Sequence, residues 1–315
     1  MPQLIAAVHT PFAADGGLRL EAVPAQAALL AAGGVEGAFV GGTTGESLSL
    51  TVAERMALAE AWVEPARRHG LRLLVHVGAA SLADATALAR HAGTLGVDSI
   101  SAMAPCYFKP ASCGDLAAFL AAVAAAAPRT PFYYYDIPSW TGVTFRSSEL
   151  LERHAAAIPT LAGIKYTSAD LADFERCVAV DGGRFAIYWG TDEALLAGLA
   201  LGAAGAIGST YNFAAAEARE VMDAFATGDM QRARTAQLDV VKIVDLLARH
   251  GYMRAAKVVM GMLGVDCGSV RAPLRPASPE DVDAIRRECA AAGFFPARRH
   301  AAAGSAPQGS KTVRA

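Results

Sequence analysis

Leu161-Ala162-Gly163-Ile164-Lys165-Tyr166-Thr167 is an apolar run of strand length with one lysine inside it. A lysine is almost never fully buried unless something uses it. Burial disfavours the ammonium and leaves a neutral amine able to attack a carbonyl. The plainer reading is a strand-end lysine that snorkels its charge to water. Gly163, Lys165 and Thr167 share one face of such a strand, and the glycine is expected to leave room beside the lysine for a substrate.

Seven further β-rich runs surround this one, at 4–10, 37–41, 71–77, 99–104, 131–136, 185–189 and 204–208. Each of the eight precedes an alanine-rich amphipathic stretch: 20–32, 52–69, 83–95, 115–126, 148–157, 169–180, 193–201 and 214–226. Thr51-Val52-Ala53-Glu54 has the form of a capping box, and Ser81 and Asp84 stand near another helix start. Eight strand–helix units predict an α/β fold, a parallel (β/α)8 TIM barrel over residues 1–226. A doubly wound open sheet fits less well. No GxGxxG follows the first strand, and eight units are many for an open sheet. Helical patterns at 229–250, 252–263 and 278–291 predict a C-terminal helical extension over 227–296. Residues 297–315 are low in complexity and read as a disordered tail.

The chain has 315 residues, 53% of them hydrophobic, enough for a barrel-sized core. A net charge of −2 offers no strong field for nucleic acid or anionic lipid. Cys106, Cys113, Cys177, Cys267 and Cys289 form no CxxC pair, so neither a disulfide framework nor a zinc site is expected. The start, Met1-Pro2-Gln3-Leu4-Ile5, lacks a basic segment and a long apolar one. No signal peptide, no membrane span and a cytoplasmic setting are therefore expected. Seven histidines show no HExxH spacing; His9 and His76, on the first and third strands, read as core or rim polar groups rather than metal ligands. Trp62, Trp140 and Trp189 read as packing residues, though Trp140 follows Tyr135 closely enough to border a site.

Active sites of (β/α)8 barrels lie at the C-terminal ends of the strands. Residues 41–46, Tyr135, Lys165, 190–193 and 208–212 all fall on that rim. Glycines in Gly41-Gly42-Thr43-Thr44-Gly45-Glu46 permit positive φ, so the Thr43 and Thr44 N–H groups can converge on an anion such as a carboxylate. An ordinary glycine-rich turn is the competing reading. It is not a Walker loop, because GxxxxGK is absent. Asp192-Glu193 opens the seventh helix, where capping and sugar binding fit equally well.

These stretches together resemble the dihydrodipicolinate synthase / N-acetylneuraminate lyase family of class I pyruvate aldolases, from about residue 4 to 274. The motifs are Gly42-Thr43-Thr44-Gly45-Glu46, Tyr135-Asp136-Ile137-Pro138-Ser139-Trp140-Thr141-Gly142, Gly163-Ile164-Lys165-Tyr166-Thr167-Ser168 and Gly205-Ala206-Ile207-Gly208-Ser209-Thr210-Tyr211-Asn212. The last is similar to the lyase branch. The resemblance implies that Lys165 forms the imine with a 2-oxo acid and that Tyr135 is the acid/base beside it. It implies that Thr43 and Thr44 hold the pyruvyl carboxylate, with Thr43 also in a hydroxyl relay. Tyr107 matches a tyrosine that reaches the relay across a subunit interface, which implies a homotetramer, a dimer of dimers. Thr167, Gly190, Asp192, Glu193, Ile207 and Ser209 match sugar-chain positions. No cofactor is implied beyond the imine, and no metal. The expected reaction is reversible cleavage of N-acetylneuraminate to pyruvate and N-acetylmannosamine.

Two departures bear on this. Synthases carry an arginine where this chain has Trp140, which argues against the synthase, and bacterial lyases often have serine at Thr43, which keeps the hydroxyl. The rivals are a pyruvate aldolase or dehydratase acting on a 2-keto-3-deoxy sugar acid, a non-catalytic sialic acid or pyruvate sensor, and a metal-dependent aldolase.

Overall fold

The computed structural model describes residues 2–294. Eight strands pair in chain order as a closed parallel barrel. They are β1 Gln3–Ala7, β2 Gly37–Val40, β3 Arg72–His76, β4 Ser99–Met103, β5 Phe132–Asp136, β6 Leu161–Tyr166, β7 Ala186–Trp189 and β8 Gly205–Gly208. β1 pairs with both β2 and β8, so no edge strand is left exposed. The expected (β/α)8 barrel is observed, with most strands one or two residues shorter than their apolar runs.

The helices are α1 Val23–Ala32, α2 Val52–His69, α3 Leu82–Leu95, α4 Cys113–Ala125, α5 Pro138–Thr141, α6 Ser147–Glu149, α7 Leu171–Ala179, α8 Leu195–Ala200 and α9 Ala215–Ala226. Then come α10 Met230–Arg249, α11 Tyr252–Met262 and α12 Pro279–Ala291, the C-terminal helical extension. The capping box at Thr51 and Glu54 forms in full, and the Ser81 hydroxyl accepts from the Asp84 N–H. One expected helix differs. Over 148–157 the chain runs from α6 through a π-helical turn, Leu150–His154, into a 3-10 turn, Ala155–Ala157. Its start is satisfied from outside: the Ser147 N–H and the Ser148 hydroxyl donate to the Asp173 carboxylate of α7 at 2.9 and 2.6 Å. None of the described helices is long and apolar enough to cross a membrane. The tail expected at 297–315 lies outside the described residues.

Alternation along the strands sorts side chains into two cores. Outward residues such as Leu4, Ala38, Ile164 and Ala206 pack under the helices. Inward residues, among them Ile5, Phe39, Met103, Tyr133, Tyr135 and Tyr188, fill the barrel. At the N-terminal end of the strands the filling turns polar. The Tyr188 hydroxyl and the Arg72 guanidinium both donate to Gln3 Oε1, at 2.6 and 2.5 Å.

Gly163 does not do what its sequence position suggested. Pairing of β5 with β6 slips at Phe132/Tyr133: Phe132 faces Leu161 while Tyr133 faces Gly163, so Ala162 is passed over. At this bulge the backbones of β6 and β7 draw together, and a Cβ on Gly163 would overlap the Ala186 carbonyl. The glycine permits strand approach rather than making substrate space. Gly163→Ala is expected to lose roughly 1–3 kcal/mol of stability, the usual cost of an inserted methyl that the backbone must accommodate. Urea unfolding of the two proteins measures it, and equal stability contradicts the account.

Candidate active site

Lys165 sits one residue from the C-terminal end of β6, opposite Tyr135 of β5 and Tyr188 of β7. It is 4% exposed. Its Nζ lies 4.1 Å from the centre of the Tyr135 ring and 4.5 Å from that of Phe39. No carboxylate forms an ion pair with it among the described residues, in contrast to the other buried lysine, Lys257, which pairs with Glu46. Tyr135 Oη is 3.2 Å from Thr43 Oγ1, so the ring that flanks the amine also carries a hydroxyl–hydroxyl contact towards the 41–46 loop. His76 meets the Tyr135 ring edge-on, with centroids 5.6 Å apart. Burial drives His76 well below the usual imidazole range and His9 down to about 3, so both rings are neutral. Neither ring has a hydrogen-bond partner among the described residues.

The 41–46 loop is held from three sides. The Thr10 hydroxyl donates to the Gly45 carbonyl at 2.6 Å. Lys257 Nζ of α11 stands 2.7 Å from Glu46 Oε1, and the Arg271 N–H donates to Glu46 Oε2 at 2.8 Å. The Thr43 and Thr44 N–H groups donate to no protein acceptor among the described residues, as an anion nest requires. Positive φ falls at Gly41 (70°) and at Glu46 (56°), not at Gly45. A left-handed conformation at a non-glycine residue costs on the order of 1–3 kcal/mol and persists where surroundings over-determine it.

Across the rim, Asp192 is buried. Its Oδ2 accepts from the Thr210 N–H and hydroxyl, both at 2.8 Å, while Oδ1 has no partner among the described residues. Gly208 makes room for it, since a Cβ there would overlap Asp192 Oδ1. Burial raises the Asp192 carboxyl to about 6 despite the two Thr210 bonds and nearby Lys165, which act in the opposite sense. The Ser209 hydroxyl contacts the Tyr252 hydroxyl of α11 at 2.7 Å. Thr167 Oγ1 is buried without a partner beside Gly190, and Ile207 forms part of the interior wall.

Lys165, Tyr135, Thr43 and Asp192 therefore gather around the top of one barrel, with Thr44, Thr167, Gly190, Ile207 and Ser209 on the same rim. Glu193 is exposed beside Asp192. Tyr107 does not join them. It is 78% exposed and stacks edge-on with the equally exposed Phe108. Outside Thr43 a cavity of about 220 Å³ opens, lined by Leu48, His76, Met103, Trp140 and Met253 among others. Trp140 lines this cavity and is 68% exposed, so it is not the packing residue its sequence reading suggested.

Sequence reading missed Lys257, Tyr252 and Arg271. Lys257 carried the same signal as Lys165, a lysine on an apolar face, here in Ala255-Ala256-Lys257-Val258-Val259-Met260. It also missed a cluster of metal-ligand type away from the rim. Cys113, Glu149 and His154 bring their donor atoms within 4.8 Å of one another.

Comparison with known proteins agrees with this geometry. The model of the dihydrodipicolinate synthetase family matches residues 1–292. The N-acetylneuraminate lyase of Sus scrofa is 39% identical over 284 residues, 89% of each chain. The solved N-acetylneuraminate lyase of Proteus mirabilis superposes with a TM-score of 0.90 at 41% identity, covering 93% of this chain and 99% of that one. The sialic acid aldolase of Ruminococcus gnavus, solved as a catalytic lysine mutant, superposes at 0.87 with 28% identity, covering 93% of this chain and 95% of that one.

The Asp192 carboxyl gives a pH signature. It is raised from 3.8 to about 6 on folding, so its protonated form is favoured in the native state. Its contribution to stability is complete below about 4 and is lost as pH rises through about 6. A rise of that size is worth about 3 kcal/mol. Asp192→Asn keeps an acceptor for Thr210 and cannot ionise. Its stability relative to wild type is expected to rise by up to that amount between pH 4 and 7. Urea unfolding at several pH values checks this, and a pH-independent difference contradicts it.

Proposed function

The chain belongs to the dihydrodipicolinate synthetase family, and from that premise we propose that it is a Schiff-base aldolase cleaving N-acetylneuraminate reversibly to pyruvate and N-acetylmannosamine. The observation that carries this reading is the Lys165 amine, buried without a counter-charge and flanked by Tyr135, whose hydroxyl contacts Thr43.

In the reaction the Lys165 amine attacks the C2 ketone of the open-chain sugar acid. The carbinolamine loses water to give a protonated imine on Nζ. Tyr135, left as the phenolate by giving its proton to the departing water, takes the C4 hydroxyl proton, the C3–C4 bond breaks, and its electrons flow into the imine as an enamine. N-Acetylmannosamine leaves as the aldehyde. The enamine is protonated at C3, and water hydrolyses the imine to pyruvate and free amine. Covalent attachment splits one hard cleavage into easier steps. The imine is the electron sink, so the reading asks for no metal or organic cofactor.

Thr43 and Thr44 hold the carboxylate, with Thr43 in the relay to Tyr135. Thr167, Gly190, Asp192, Glu193, Ile207 and Ser209 receive the sugar chain, and the unpartnered Asp192 Oδ1 and Thr167 Oγ1 support that role. The exposed Tyr107–Phe108 pair supports an assembly, a homotetramer built as a dimer of dimers, in which Tyr107 completes a neighbouring site. Five free cysteines fit a cytoplasmic setting.

Wild type is expected to release pyruvate from N-acetylneuraminate far faster than from 2-keto-3-deoxygluconate, with no loss in chelator. Lys165→Ala is expected to abolish release and borohydride trapping of pyruvate, and Tyr135→Phe to lower kcat roughly 10²–10⁴-fold. Undiminished turnover in Lys165→Ala removes the Schiff-base reading. Preference for the deoxygluconate moves the substrate assignment to the sugar-acid aldolases.

A further inference from the structure

Lys257 lies in the C-terminal extension and reaches the nest only through Glu46. Both side chains are almost fully enclosed, 2% and 1% exposed, with Nζ 2.7 Å from Oε1. Nζ also donates to the Ser269 carbonyl at 2.6 Å and stands 4.3 Å from the Phe12 ring centre. The other Glu46 oxygen accepts the Arg271 N–H at 2.8 Å. Glu46 is the residue forced to φ 56°, and its own N–H donates to the Thr43 carbonyl at 3.0 Å. The loop conformation that leaves the Thr43 and Thr44 N–H groups free thus ends on a strained residue whose carboxylate is pinned twice from the extension.

We propose that Lys257 is a positioning residue: through Glu46 it holds the Thr43–Thr44 nest in the geometry that receives the carboxylate of a 2-oxo acid. This rests on the aldolase reading and adds a second role for α11, which also braces the loop after β8 by the Tyr252–Ser209 contact at 2.7 Å. An enclosed ion pair is a poor stability device, because desolvation offsets much of its attraction. Its value here is that it fixes the Glu46 carboxylate in one arrangement, with Oε1 against Lys257 Nζ and Oε2 accepting the Arg271 N–H.

The test separates the carboxylate from the ketone. Borohydride trapping on Lys165 is titrated with pyruvate and with hydroxyacetone, a ketone without a carboxylate. The proteins are wild type, Lys257→Met and the double variant Glu46→Gln/Lys257→Met, which leaves no unpaired buried charge if the single change does not fold. The pyruvate concentration for half-maximal trapping is expected to rise at least tenfold in the folded variants, while hydroxyacetone trapping stays within twofold of wild type. Pyruvate half-saturation within twofold of wild type, equal weakening for both ketones, or failure of both variants to fold overturns the assignment. Wild type that traps neither ketone sinks the aldolase reading and this assignment with it; any of the other three outcomes sinks the assignment alone.

Discussion

An amine inside a closed ring of strands has to be accommodated by whatever points inward from the other strands, because no edge admits water. That constraint organises the barrel interior. Lys165 meets the faces of Phe39 and Tyr135 and no carboxylate, while the N-terminal end beneath is filled by Tyr133, Tyr188, Gln3 and Arg72. The aromatic faces orient the amine, and the polar groups that could pair with it are kept at the rim. Lys257 shows the alternative arrangement in the same molecule. There a buried lysine is given a carboxylate, a carbonyl and a ring, and so becomes a fixed element of the frame.

The rim works as a set of loops tied from one βα unit to the next. Asp192 after β7 binds Thr210 after β8. Asn212 reaches back to the Ala7 carbonyl at the end of β1, at 2.7 Å. Thr10 after β1 holds the Gly45 carbonyl after β2. Each tie crosses from one βα unit to the next, so the positions of Thr43 and Asp192 are set jointly. Polar side chains in such ties are satisfied in one arrangement, which favours a single geometry over a family of near-equivalent ones.

Much of this was legible in the chain. Eight apolar runs with helical stretches between them name the barrel, because a parallel strand must be covered on its outer face and its period then shows. The rim residues were legible because the strand ends are where such a fold puts its loops. What escaped has a common cause. The need for a glycine at 163 depends on how close β7 comes, which no property of Leu161–Tyr166 records. The broken helix at 147–157 depends on an Asp173 carboxylate from the following helix. Lys257, Arg271 and Tyr252 act on loops more than forty residues away in sequence (Glu46 and Ser209), and pairings of that kind arise only when the chain has closed. Tyr107 was placed by likeness alone, and in the single chain it stands in solvent.

The polar plug of Gln3, Arg72 and Tyr188 has a further consequence for traffic. The barrel is a cul-de-sac: closed at that end, it leaves the rim as entrance and exit alike. In a cul-de-sac, guests depart in reverse order of depth. Under the reaction proposed above, the fragment nearer the street would go at once, whereas one tethered to the amine at the far end would wait until a water molecule had followed it in.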